Sequence, residues 1–202
     1  MILNVWSNND FASKLQTRNV VAVSEGHAFL LETDDGDTTK KSEIQSLFST
    51  QEETDTRVVL YCKYSQDQGY DYARIRTPDS DIFFILLHHV SSFTITILFD
   101  TGTGNKKRLI NVTELAGDLT QEYCTALLAL HAFTHCDTTS AFKGIGKVKP
   151  IKVMQKLPRF QPILAELGSE WVVTEELFPG LEKFTSQEHR HPPFHSHQGA
   201  EW

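Results

Sequence analysis

The stretch ARIRTPDSDIFFILLHHV, residues 73–90, decides how the rest of the chain reads. Ala73–Arg76 alternates between apolar and basic residues, the period of a half-buried strand. Asp79 and Asp81 follow in a turn after Pro78, and Ile82–Val90 is then an apolar run that suits either a buried strand or a short helix. Acidic residues at the end of a strand lie where an α/β sheet presents ligand groups, at its carboxyl edge. The plain alternative is an Asx-turn that caps a helix.

Upstream, the first eighteen or so residues read as a weak helix or arm, with Trp6, Phe11 and Leu15 at roughly helical spacing. Asn19–Val23 and Ala28–Glu32 are β-type runs around Ser24–His27 and predict a hairpin. Thr33–Lys41 reads as an acidic loop. A helix is expected over Gln51–Gln66, with Thr50 and Glu53 as a capping box. Downstream, Phe93–Phe99 and Lys107–Val112 flank Asp100–Asn105 as a second hairpin. Thr120–Phe133 is a clear helix with Thr120 as its cap. Shorter helices are expected over Lys147–Lys156 and Gln161–Gly168, parted by Pro158, and over Thr174–Lys183, broken near Pro179 and Gly180. From Thr185 the chain turns polar and rich in histidine and proline, which predicts disorder. Alternating strands and helices point to an α/β fold with a mainly parallel central sheet flanked by helices and a small helical C-terminal part. We expect one domain over residues 1–184 and a tail over 185–202.

Three acidic motifs carry the chemistry: Glu53 with Asp55, Asp79 with Asp81, and Asp137 in Cys136–Ser140. Carboxylates paired beside apolar runs are costly unless a cation neutralises them. Hard ions such as Mg²⁺ or Mn²⁺ take oxygen ligands from several segments, and two ions ~3.5–4 Å apart suit in-line displacement at a phosphodiester. Each motif also has an ordinary reading as a helix cap or first-turn acid, and for Glu53 and Asp55 alone that reading is the stronger. Gly144, Ile145 and Gly146 permit a tight turn with amides open to an anion, and Lys147, Lys149, Lys152 and Lys156 follow. Such a segment suits sequence-independent contact with a nucleic-acid backbone, or is simply a solvated lysine face.

At 202 residues, with 40% hydrophobic content, the chain can bury a sizeable core. The net charge of −7 argues against a broadly basic nucleic-acid coat, though not against a local basic patch. No apolar run nears the ~18 residues of a membrane span, and the N-terminus has no secretory pattern. Cys62, Cys124 and Cys136 are odd in number and unpatterned, which fits reduced thiols in an intracellular, nuclear or cytoplasmic setting. His131 and His135 stand four apart near Cys124 and Cys136, but the ligand directions do not suit zinc, so a satisfied histidine pair is the better reading. The loop at Gly102 and Gly104 lacks the spacing of a nucleotide loop.

The order of these motifs resembles the flap endonuclease family and its PIN-like fold, from about Thr50 to Met154. The shared elements are an acidic pair at a helix start, Asp79-x-Asp81 after a strand, and Cys136-Asp137 followed by Gly144–Lys147. The resemblance implies that Glu53, Asp55, Asp79, Asp81 and Asp137 hold Mg²⁺ or Mn²⁺, with Asp79, Asp81 and Asp137 catalytic. It implies that Gly144, Ile145, Gly146, Lys147, Lys149 and Lys152 grip nucleic acid, DNA rather than RNA. The chain also resembles multicopy animal proteins that carry both Gln51–Arg57 and Cys136–Phe142, a likeness that implies mobile-element descent. The family carries further first-strand carboxylates, whereas here only Asp10, Asp34, Asp35 and Asp37 precede Glu53. His135 and Thr138 depart from the family's glycine and aromatic. The expectation is therefore a metal-dependent nuclease-like chain truncated at its N-terminus; the alternative is a non-catalytic nucleic-acid-binding remnant.

Overall fold

The computed structural model describes residues 5–6, 9–15, 18–33, 36–50, 54–134, 136, 146–170 and 172–189. They form two compact units, Met1–Thr77 with Ser92–Leu109 and Pro78–Ser91 with Ile110–Trp202.

In the first unit, helical turns at Asn9–Phe11 and Ala12–Leu15 bury Ala12 and Leu15, and Trp6 stacks on Phe11. Strands β1 (Val20–Ser24) and β2 (His27–Glu32) form the expected hairpin, antiparallel from Val20↔Leu31 to Ser24↔His27. Glu25 and Gly26 both have positive φ, 51° and 86°, the signature of the type I′ turn whose twist matches the strands. A Cβ on Gly26 would lie 2.6 Å from the Ser49 carbonyl oxygen, so glycine is required twice over. Strand β3 (Lys40–Glu43) pairs with the far edge of β2. It begins inside the stretch Thr33–Lys41 expected as a loop: all four of its residues are polar and exposed, as an edge strand tolerates.

Helix α1 (Thr54–Asp67) occupies the expected span, and its proposed capping box rests on Glu53, outside the described residues. Strands β4 (Tyr72–Arg76) and β5 (Thr96–Thr101) run parallel, with Arg76 opposite Asp100. Strand β6 (Arg108–Asn111) completes the order β4-β5-β6 in a sheet of mixed sense. The α/β character therefore holds, but a single, mainly parallel central sheet does not. Among the described residues there are two three-stranded sheets; the tight turn after Ser24 makes β1 and β2 antiparallel, and β3 pairs antiparallel with β2. Strand β5 also runs further than its apolar residues suggest. Asp100 belongs to the strand, and the turn begins at Gly102, where any Cβ would collide with the Lys106 carbonyl.

The second unit is helical: α2 (Ser80–His89), α3 (Val112–Gly117), α4 (Gln121–Thr134), α5 (Val148–Lys156), α6 (Gln161–Glu166) and α7 (Phe178–His189). The ambiguous run after Asp81 is the helix α2. Its cap is Asp79, and Ile82 and Leu86, four apart, are buried with Leu87. Asn111 caps α3 through the Glu114 amide, so Val112 opens a helix instead of ending a strand. The Thr120 hydroxyl accepts the Tyr123 amide, as its capping role predicts. Helix α4 is the hub: it packs on α2, α5 and α6 and buries Cys124, Leu127 and Leu130. Pro158 ends α5 as expected. Pro179 does not break α7. It sits in the first turn, where a missing amide costs nothing, and the helix runs through Thr185–His189, a stretch expected to belong to the polar tail. Phe184 of α7 meets Phe160 edge-on at 5.2 Å, both fully buried. Among the described residues no helix is long and apolar enough to cross a membrane.

A candidate aspartate, histidine and lysine site

The second unit joins two of the sequence motifs through a residue that neither contains. Asp81 sits in the first turn of α2, His131 near the end of α4, and Lys147 immediately before α5. His131 Nε2 lies 2.7 Å from Asp81 Oδ1, and Lys147 Nζ lies 2.8 Å from His131 Nδ1. The imidazole is buried, with Phe84 against its face at 4.3 Å between ring centres. Beside Lys147 and Thr134 remains a void of about 10 Å³, room for one water at most.

Electrostatics assign the protons. Burial pushes His131 below its ordinary pKa; the hydrogen bond to Asp81 opposes this, and the Lys147 ammonium lowers it further. The ring is thus neutral near pH 7. Nε2–H donates to Asp81, and the Lys147 ammonium lies against the ring, 2.8 Å from Nδ1 and 3.4 Å from Nε2. A carboxylate and an ammonium are bridged by a neutral, polarisable ring away from most of the solvent. Losing either end would leave the other charge half-buried and unpaired.

Asp79 is a neighbour with a structural duty: its Oδ1 accepts the Asp81 amide at 2.9 Å. The ordinary reading of that motif, a helix cap, is therefore true of it, and both carboxylates are carried on one rigid helix start. Lys149 and Lys152 are exposed along α5. Gly146 is described, while Glu53, Asp137, Gly144 and Ile145 lie outside the described residues. Asp55 is in the first turn of α1, in the other unit, where its charge complements the helix dipole. Of the zinc reading, His135 is outside the described residues and Cys124 is buried with its thiol pKa raised by burial. Among the described residues, no three His, Cys, Asp or Glu side chains gather closely enough to hold a metal ion.

Sequence reasoning treated His131 as merely a satisfied histidine. It is satisfied, but by two of the named site residues. A histidine on the buried face of a largely apolar helix signals a polar group in need of a partner, without saying which.

A second charged cluster, in the first unit, went unread. Asp100, at the end of β5, has a side chain only 2% exposed. Its Oδ2 takes Arg74 Nη2 at 2.6 Å and Nε at 3.1 Å, with Arg76 Nη1 at 3.7 Å. Its Oδ1 is buried with no hydrogen-bond partner among the described residues. The Arg74 hydrogen bond outweighs the burial cost, and Lys107 and Arg76 add to it, so the Asp100 pKa is lowered. Strand alternation sets Tyr72, Arg74 and Arg76 on one exposed face of β4. The alternating arginines opposite an acid at a strand end were the legible cue.

No protein-family model, curated protein or solved structure matches this chain.

Proposed function

We propose that the chain is a nuclease-like protein of PIN-like type that acts on nucleic-acid phosphodiesters with Mg²⁺ or Mn²⁺. The observation that carries this reading is the meeting of Asp81, from the Asp-x-Asp motif, with Lys147, from the Gly-Ile-Gly-Lys motif, through His131. A carboxylate at the start of α2 and a lysine at the start of α5, brought together by His131, are what a metal and a phosphate need side by side. The donor set suits a hard ion: Asp79 and Asp81 offer carboxylate oxygens, and Asp81 Oδ2 has no partner among the described residues. Two carboxylates can hold Mg²⁺ when water completes the shell, and Asp137 is the expected third. A bound ion would polarise the phosphodiester and activate water. His131 aims the Asp81 carboxylate and fixes the Lys147 ammonium, which is free to donate its remaining protons to a phosphate oxygen. Lys149 and Lys152 extend positive charge along α5 for backbone contact.

One observation favours a second reading, nucleic-acid binding without cleavage. Asp81 already accepts a hydrogen bond from His131, with the Lys147 ammonium beside that ring, so it does not require a metal for charge balance. The test is cleavage of single-stranded and flapped DNA with Mn²⁺, Mg²⁺ or EDTA, alongside binding by fluorescence anisotropy at two salt concentrations. The first reading expects metal-dependent cutting that Asp81→Asn abolishes. The second expects salt-sensitive binding that survives EDTA and is lost in Lys147→Glu with Lys149→Glu. A folded chain that neither cuts nor binds at low salt would sink both.

A further inference from the structure

The first unit carries a cleft of about 350 Å³ that has no part in the charged clusters. Its floor is the β1–β2 face, where Val21 and Val23 alternate outward and Leu30 pairs with Val21. Val21 and Val23 are 39% and 40% exposed, so branched apolar surface is left in water. Its wall is α1, which presents Tyr61 and Tyr64 on one face, with Gln68 in the turn just past its end. Tyr70 stands at the rim, 55% exposed, and Asn19 at the strand end.

Three features specify the occupant. No lining residue is charged, so the buried part of a ligand is neutral. Three tyrosines, Tyr61, Tyr64 and Tyr70, line it, and aromatic side chains hold planar rings by stacking. The side-chain amides of Asn19 and Gln68 line the cleft at exposed positions, and each can donate and accept at once. An amide of that kind pairs with a ring edge bearing a donor next to an acceptor, as on a nucleobase. The volume lies at the small end of ligand cavities, enough for one ring system with a sugar.

We infer that this cleft binds a nucleobase, stacked on Tyr61 and Tyr64 and read by Gln68 and Asn19. The base can come from a free nucleoside or from an unpaired strand. This inference does not rest on the nuclease reading, and its test is run in EDTA so that the acidic site plays no part. The full chain is titrated with adenosine, guanosine, cytidine and uridine, with short unstructured oligonucleotides, and with a proline-rich decapeptide, using saturation-transfer NMR and tyrosine fluorescence. We expect saturable binding of at least one nucleoside, about tenfold weaker in Tyr64→Ala. Gln68→Ala, at an exposed position, should change the preference among the four bases while leaving the fold intact by circular dichroism. An oligonucleotide that binds more tightly than its nucleoside, and loses that binding in Tyr64→Ala, identifies the strand as the source; the reverse order identifies the free nucleoside. The inference is overturned if no nucleoside binds the folded chain at millimolar concentration. It is equally overturned if binding ignores both variants, or if only the peptide binds.

Discussion

At the scale of the residue, His131 is the position on which the candidate site turns. Its ring stands between opposite charges, Asp81 50 residues before it and Lys147 16 residues after it in the chain. Removing the ring leaves Asp81 and Lys147 without their bridge. An unsatisfied buried polar group costs roughly 1–3 kcal/mol, so we expect His131→Ala to lower the melting temperature measurably. The sharper measurement is a double-mutant cycle with Lys147→Met by chemical denaturation. Groups in one hydrogen-bonded network couple by roughly 0.5–3 kcal/mol. Strict additivity of the two substitutions would mean that the contact carries no energy. The residue types at Asp81 and Lys147 were legible as site candidates from their motifs. The histidine between them was not, because a histidine on an apolar helix face looks the same whether it is bridged or simply buried.

At the scale of the element, α2 shows how one side chain can have two duties. Asp79 caps the helix, and it is also half of the acidic pair. Substitution separates the two. Asparagine caps as well as aspartate but is a poor ligand for a hard ion, whereas alanine does neither. We expect Asp79→Ala to cost about 1 kcal/mol of stability, and Asp79→Asn to be nearly neutral. If the acidic pair holds Mn²⁺, the rise in melting temperature on adding the ion should vanish in Asp79→Asn although its apo stability is unchanged. A metal-induced shift that persists in Asp79→Asn would leave Asp79 as a cap and nothing more. The helix itself was ambiguous in the sequence. A short apolar run has the same composition in a buried strand and a buried helix, and the cap decided between them.

At the scale of the whole molecule, acid should weaken the protein in two stages. His131, His88 and His89 all have pKa values lowered chiefly by burial. Below their ordinary pKa of 6.5 the unfolded chain takes up protons that the folded chain refuses, so stability falls as pH drops from there. Asp100 acts lower on the scale. Its depressed pKa contributes stability in full above the ordinary 3.8, lost as pH falls through its folded value. Melting curves from pH 8 to pH 3 should therefore slope downward below about 6.5 and more steeply below about 4. Asp100→Asn should flatten the second stage and leave the first; a second stage unchanged in that variant would mean that Asp100 gains nothing from Arg74. The sequence by itself determined the local matters: the first hairpin, the spans of α1 and α4, the cap at Thr120, the stop at Pro158 and the acidic motifs. These depend on neighbours within a few residues, where period, turn chemistry and capping act. Only the tertiary structure decided the division into two small sheets, the burial of Asp100 within β5, the edge strand Lys40–Glu43 and the bridge from Asp81 through His131 to Lys147. The reason is physical: strand partners and buried charges are chosen by packing between segments distant in the chain, and side chains of one type look alike in sequence until a partner stands opposite them.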